Sequence, residues 1–416
     1  MTFLIKAATI LDPESPYHNK KADILIKNGI ISDIDTQLPS SEEATEIVLD
    51  NLHISQGWFD SSVSFGEPGY EERETLSNGL DVAAKSGFTS IALNPNTLPI
   101  TDNSTGIGFL KNFAMDHLVS LYPIGALTLQ LKGVDLAELF DMKQKGAIAF
   151  GDYKKAVSNP NLLKIALLYS QNFDGLIQSF PQENNIAGKG IVHEEEQSTL
   201  LGLKGIPALA EELQITRDLF ILEYTGGKLH IPTISTAKSV DLIRTAKEKG
   251  LNVSCSVAVH NLILTDQELS GFNSNYKVLP PLRTQKDVDA LIAGIGDGTI
   301  DMVTSDHQPI DIEFKKIEFD HASYGTIGLE SAFGALNKAL GVTKTVQMLT
   351  GGKSIFGIES SPIKKGNKAD ITLFNPDEES TFSESQIFST SKNSAFIGKS
   401  IKGKVYGSYA NGKIEL

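Results

Sequence analysis

The residues that could do chemistry in this chain stand at the ends of short apolar runs. Asp306 and His307 lie in Thr304-Ser305-Asp306-His307-Gln308-Pro309, Asp60 follows Trp58-Phe59, and His230 and His260 end two further runs. Carboxylates and imidazoles at such places are the groups that ligate metals or move protons. A centre of His307, Asp306 and Asp60 would therefore suit metal-assisted hydrolysis. Neighbours on a regular strand face opposite sides, however, which separates Asp306 from His307, and His230 sits an odd number of residues from Thr233. The expectation is that these histidines pack or hydrogen-bond at strand ends. Ser62 or Ser64 with His307 would suggest a serine hydrolase, but no Gly-x-Ser-x-Gly elbow accompanies them.

Other motifs fail on spacing. Gly351-Gly352-Lys353-Ser354 has the end of a phosphate-binding loop, yet Gln347 stands where its first glycine belongs. Gly294-Ile295-Gly296-Asp297-Gly298 continues into Thr299 and reads as a helix-to-strand turn. The single cysteine, Cys255, lies within Val253 to Val259, which excludes an internal disulfide and predicts a buried thiol.

The elements that must hold these residues fall into two kinds. Residues 1–55 and the tail alternate short apolar runs with turns, and Asn28-Gly29 and Asn411-Gly412 are hairpin signals because both residues accept positive φ. A small β-sandwich domain built from 1–55 together with 361–416 is expected. Residues 56–360 instead alternate strand-like and helical runs. Thr236 caps a helix with Val240, Ile243 and Ala246 on one face and Gly250 as its stop. Pro207 opens another, with Leu209, Leu213 and Leu219 among its apolar positions, ending at Gly226-Gly227. About eight such repeats over roughly 250 to 300 residues predict a (β/α)8 TIM barrel, an α/β fold. A doubly wound open sheet holding a dinucleotide would need an early Gly-rich turn, and there is none.

Composition fits this reading. The chain has 416 residues, 40% hydrophobic and 21% charged, with a net charge of −14. That charge disfavours nucleic acid and anionic membrane surfaces as partners. No apolar run has the length of a membrane span, and the N-terminus lacks a secretory pattern, so a cytoplasmic location is expected.

The order of motifs resembles the dihydroorotase family of cyclic amidohydrolases over nearly the whole length. The matching segments are Asn94-Pro95-Asn96-Thr97-Leu98-Pro99, Leu201-Gly202-Leu203-Lys204-Gly205-Ile206-Pro207 with Ala210-Glu211-Glu212, Lys277-Val278-Leu279-Pro280-Pro281-Leu282-Arg283, Asp297-Gly298-Thr299-Ile300-Asp301, and Thr304 to Pro309. The resemblance implies a TIM barrel with a small β-sandwich and, in active relatives, zinc at the barrel's C-terminal face.

Taken residue by residue, it also implies a dismantled site. Two strand-end histidines of the family correspond to Ser62 and Ser64, the bridging carboxylate or modified lysine to Tyr153, a third histidine to Phe180 and a fourth to Thr233. Asp306 alone survives. The substrate-gripping arginine corresponds to Gly66 and an asparagine to Leu279, while Asn96 matches. Asp306, His307 and Asn96 are expected to remain as a vestigial pocket with no metal and no other cofactor, because one carboxylate is too few ligands for zinc. Dihydroorotase-like chains without zinc ligands associate with aspartate transcarbamoylase in some bacteria. The resemblance thus points to an inactive homologue, a pseudoenzyme of pyrimidine biosynthesis, partnered by that enzyme or by itself. The alternatives are an active cyclic amidohydrolase with a divergent metal centre, or a sensor whose pocket Phe180 and Leu279 make more apolar.

Overall fold

A computed structural model describes residues 2–40 and 42–416. Eight parallel strands follow one another around a barrel in chain order: Trp58–Val63, Phe88–Leu93, Ser120–Gly125, Ala149–Phe150, Leu176–Gln178, Lys228–Ile231, Val253–Ala258 and Met302–Thr304. Their side chains are almost wholly buried, as parallel strands covered by helices require. The fold is the predicted (β/α)8 barrel.

Last and first strands are joined chiefly through side chains. The Asp60 carboxylate, fully buried, accepts from Thr304 Oγ1, from Ser305 N at 2.9 Å and from Ser62 N at 3.0 Å. Ser64 N donates to His307 O at 2.8 Å beside it. Burial raises the Asp60 pKa, opposed by the hydrogen bonds from Ser305 and Thr304. Asp60 is thus a structural seam, not a member of a chemical centre with His307.

A second, eight-stranded β-rich unit combines strands between Thr2 and Gln56 with Ile371–Thr381, Ser400–Ala410 and Lys413–Glu415. The strand His53–Gln56 pairs with Ile371–Thr381, so the two ends of the chain share one sheet. Both Asn-Gly pairs form the expected turns, with φ of 50° and 81° at Asn28-Gly29 and 52° and 76° at Asn411-Gly412. Trp58 stacks on Phe333 at 4.9 Å and tilts against Phe374 at 5.6 Å, which seats the barrel floor on this sheet. Among the described residues no helix is long and apolar enough to cross a membrane.

The helix Ala237–Glu248 has its Thr236 cap and buries Val240, Ile243 and Ala246 as predicted. Ala208–Thr225 is the helix expected between Pro207 and Gly226-Gly227. Leu219 is buried, but Leu209 and Leu213 face outward. The rotation is set by polar residues: Glu211 is buried and accepts from Ser235 N at 2.8 Å and Ser239 Oγ at 2.7 Å, with Arg283 Nη2 at 3.4 Å. Asp218, also buried, accepts from Ser179 Oγ at 2.6 Å and pairs with Arg217 at 2.7 Å. Burying these two carboxylates with their partners outweighs burying two leucines, since an unpaired internal charge costs several kcal/mol and an exposed leucine only about 2.

Replacing Asp60 by Ala strips three buried donors of their acceptor at the barrel seam. Urea denaturation is expected to show a loss on the order of 3–5 kcal/mol, and a loss within about 0.5 kcal/mol of zero would contradict the seam.

Candidate functional site

At the C-terminal face six of the eight strands contribute side chains at or just past their ends: Ser62, Asn94, Tyr153 with Lys154, Phe180, Thr233 and Asp306 line one small cavity. The cavity measures about 20 Å³, enough for roughly one water molecule. Thr233 and Asp306 take left-handed backbone angles, φ 53° and 49°, and so does Lys154 at 53°. Non-glycine residues pay strain there, and such strain clusters at functional sites.

Lys154 was not among the residues the sequence singled out, yet it dominates the site. Its Nζ lies 2.8 Å from Asp306 Oδ2 and donates to Gln308 Oε1 at 2.8 Å. Ser62 Oγ donates to Asp306 Oδ1 at 3.2 Å, Asn94 Nδ2 donates to Ser62 Oγ at 3.1 Å, and the Tyr153 hydroxyl approaches Asp306 Oδ1 at 3.5 Å. Burial raises the Asp306 pKa, and the adjacent ammonium opposes it. The Tyr153 hydroxyl is pushed well above its ordinary range by burial and by the Asp306 charge, so it stays neutral. Asp152 turns away and accepts from Leu127 N and Thr128 N, both at 3.0 Å.

The expected pocket of Asp306, His307 and Asn96 is not assembled. Only Asp306 faces the cavity. His307 Nδ1 accepts from Gly328 N at 3.2 Å, and its ring packs edge-on against Phe65. Asn96 pairs with Ser64 through bonds of 2.8 and 3.0 Å, which removes Ser64 from the cavity as well. His230 lies between Ser254 and Ser256, at 2.9 and 3.3 Å. Gly66 sits in a closed turn where a Cβ would fall 1.7 Å from Tyr70 O, so no longer side chain fits there. Leu279 packs with Phe180, Ala187, Ile206 and Ala210, making one wall of the mouth apolar.

A zinc ion does not fit these residues. Ser62, Tyr153, Phe180 and Thr233 offer hydroxyls or carbon in place of imidazole or carboxylate, and the one carboxylate already faces a cation. Among the described residues no group of three or more His, Cys, Asp or Glu side chains comes together. Cys255 is buried in its strand, and burial raises its thiol pKa, as expected of a core residue. His260 is buried past its strand end with neither ring nitrogen hydrogen-bonded, and burial lowers its pKa to about 3.

Residues 53–239 match the model of a family described as dihydro-orotase-like. A dihydroorotase from Pelotomaculum thermopropionicum is 38% identical over 423 residues, covering 100% of this chain and 99% of its own. One from Ruminiclostridium cellulolyticum is 39% identical over 97% of this chain and 96% of its own. The L-hydantoinase of Arthrobacter aurescens superposes with a TM-score of 0.86 at 21% identity, covering 100% of this chain and 96% of its own, a likeness of fold.

K154M leaves the Asp306 charge buried and unpaired, and is expected to cost roughly 3–5 kcal/mol; adding D306N should recover part of this, measured as a double-mutant cycle in urea. Additive losses would contradict the pairing. For pH, His230, His260 and His307 have pKa values lowered by burial to about 3, 3 and 4. The unfolded chain takes up these protons near pH 6.5 and the native state does not, so their contribution is intact above that pH and lost as pH falls toward 4. The expected slope is roughly 1.4 kcal/mol per pH unit for each histidine, opposed at the acid end by Asp60 and Asp306, and H260Q should flatten it.

Proposed function

This chain belongs to the dihydroorotase family, and from that premise we propose that it is a member without zinc-dependent hydrolysis, acting as a structural partner of aspartate transcarbamoylase in pyrimidine biosynthesis. The observation that carries the reading is the Lys154 ammonium 2.8 Å from Asp306. Hydrolysis of a cyclic amide needs a strong nucleophile at neutral pH, which zinc supplies by acidifying its bound water. Here the one carboxylate kept from the family's ligand set is neutralised by a side chain. That side chain brings no water to activate.

The substrate side supports the same reading. An anionic ring substrate needs a cation and planar donors at the mouth, whereas Gly66 admits no side chain and Phe180 and Leu279 present carbon. The remaining volume of about 20 Å³ is far below the ~300 Å³ of a small-molecule site. A ligand-binding sensor would have to reopen this cavity. What persists is a rigid barrel with its outer surface, which is what a scaffold requires.

The test is co-purification of the full chain with the aspartate transcarbamoylase of its own organism, together with a dihydroorotate turnover assay on the isolated chain. Association without turnover is the expected result. Turnover at a rate typical of enzymes would sink the inactive reading, and failure to associate would remove the partner.

A further inference from the structure

A cleft of about 690 Å³ lies at the end of the barrel opposite the mouth. Its walls are the end of the helix Ser104–Phe113, the start of the strand Ser120–Gly125 and the two Asn-Gly turns of the terminal sheet. Lys111 and Lys368 line it, and no carboxylate does. Among the described residues neither ammonium pairs with an acid elsewhere; each is hydrogen-bonded to a neutral oxygen.

Both lysines are held in place. Lys111 is half-buried, its Nζ donating to Leu121 O at 3.2 Å and lying 4.9 Å from the centre of the Tyr122 ring. Burial lowers its pKa, and no neighbouring carboxylate opposes this. Lys368 Nζ donates to Asn411 Oδ1 at 2.8 Å, and the Asn411 amide is itself fixed by donating to Leu118 O at 2.9 Å and Ser120 Oγ at 3.2 Å. An ammonium has three protons to give, so each keeps two beyond these bonds. Drawing a charge partly out of water with no counter-charge costs free energy, which an anion in the cleft would offset.

We propose that this cleft binds a small organic phosphate, its dianion held by Lys111 and Lys368 and its carbon body lying against Tyr122, Met115 and Ile30. A phosphate monoester carries roughly −1.5 to −2 charges at neutral pH, which matches two ammonium groups. The carbon body follows from the rim: Met115 and Ile30 are 71% and 41% exposed, apolar surface that an inorganic ion would leave wet. The volume points the same way, since 690 Å³ falls within the range of small-molecule sites, about 300–1,000 Å³. A nucleic acid or an anionic membrane is repelled at range by the net charge of −14, whereas a single dianion inside the cleft meets the local lysines first. Asp370 and Glu359 act on the Tyr122 hydroxyl, whose pKa burial and these charges raise, but neither lines the cleft, and Asp370 is paired with Lys353 at 2.8 Å. The inference is independent of the missing zinc chemistry, because the cleft shares no residue with the mouth.

The test is isothermal titration of the full chain near neutral pH with three probes: phenyl phosphate, inorganic phosphate and benzyl alcohol. Phenyl phosphate should bind saturably at one site per chain, inorganic phosphate more weakly, and benzyl alcohol not at all. K111M and K368M keep the length of each side chain and remove its charge, and each is expected to weaken phenyl phosphate by roughly tenfold or more. N112D leaves both lysines in place and adds a carboxylate at an exposed position lining the cleft, and should weaken it as well. K286M, an exposed lysine on the helix Gln285–Gly296, should bind as the wild type does. Melting temperatures check that all four variants fold. No saturable binding of phenyl phosphate would overturn the proposal. So would binding that N112D and both cleft lysine variants leave unchanged, or binding of benzyl alcohol or inorganic phosphate as tight as that of phenyl phosphate.

Discussion

A carboxylate buried at the end of a barrel strand needs partners that replace water, and for Asp306 the principal one is a lysine. Isolated ionised groups are not tolerated in low dielectric, so Asp306 fixes the arrangement around it. Lys154 reaches it from the fourth strand's end, Ser62 Oγ and the Tyr153 hydroxyl donate to its Oδ1, and Asn94 in turn donates to Ser62 Oγ. Lys154 also donates to Gln308 and so holds the segment that follows the last strand. Lys154, Thr233 and Asp306 all hold left-handed backbone angles around this pair.

The barrel does not depend on that site for its existence. Its strands bury almost every side chain, its seam is closed by Asp60, and Trp58, Phe333 and Phe374 join its floor to the terminal sheet. A scaffold of this kind tolerates exchange at the mouth because packing and backbone hydrogen bonds, rather than ligand bonds, supply most of its stability. The mouth can lose its chemistry while the outer helices keep their positions.

The sequence made the fold legible because strand and helix periods, the Asn-Gly turns and the Thr236 cap are local signals. That Ser62, Tyr153, Phe180 and Thr233 meet at one cavity was legible too, since they could be read against a family motif. Lys154 was not, because a lysine beside Tyr153 and before Lys155 looks like a solvated run. The available signal was indirect: an Asp306 buried among neutral residues calls either for several donors, as at Asp60, or for a cation. His307 and Asn96 were misplaced because strand alternation says which way a side chain leaves the strand, not which partner it finds. The outward placement of Leu209 and Leu213 was not legible, because apolar periodicity alone does not fix a helix's rotation when both faces carry leucines. Glu211 and Asp218 decided it.

The central claim is that an internal ammonium occupies the role a metal ion holds at this place in zinc-dependent hydrolases. The direct measurement is zinc bound per chain after purification and equilibration with excess zinc, compared between the wild type and K154A. The account predicts no near-stoichiometric zinc in the wild type. Near-stoichiometric zinc that D306N abolishes would contradict it.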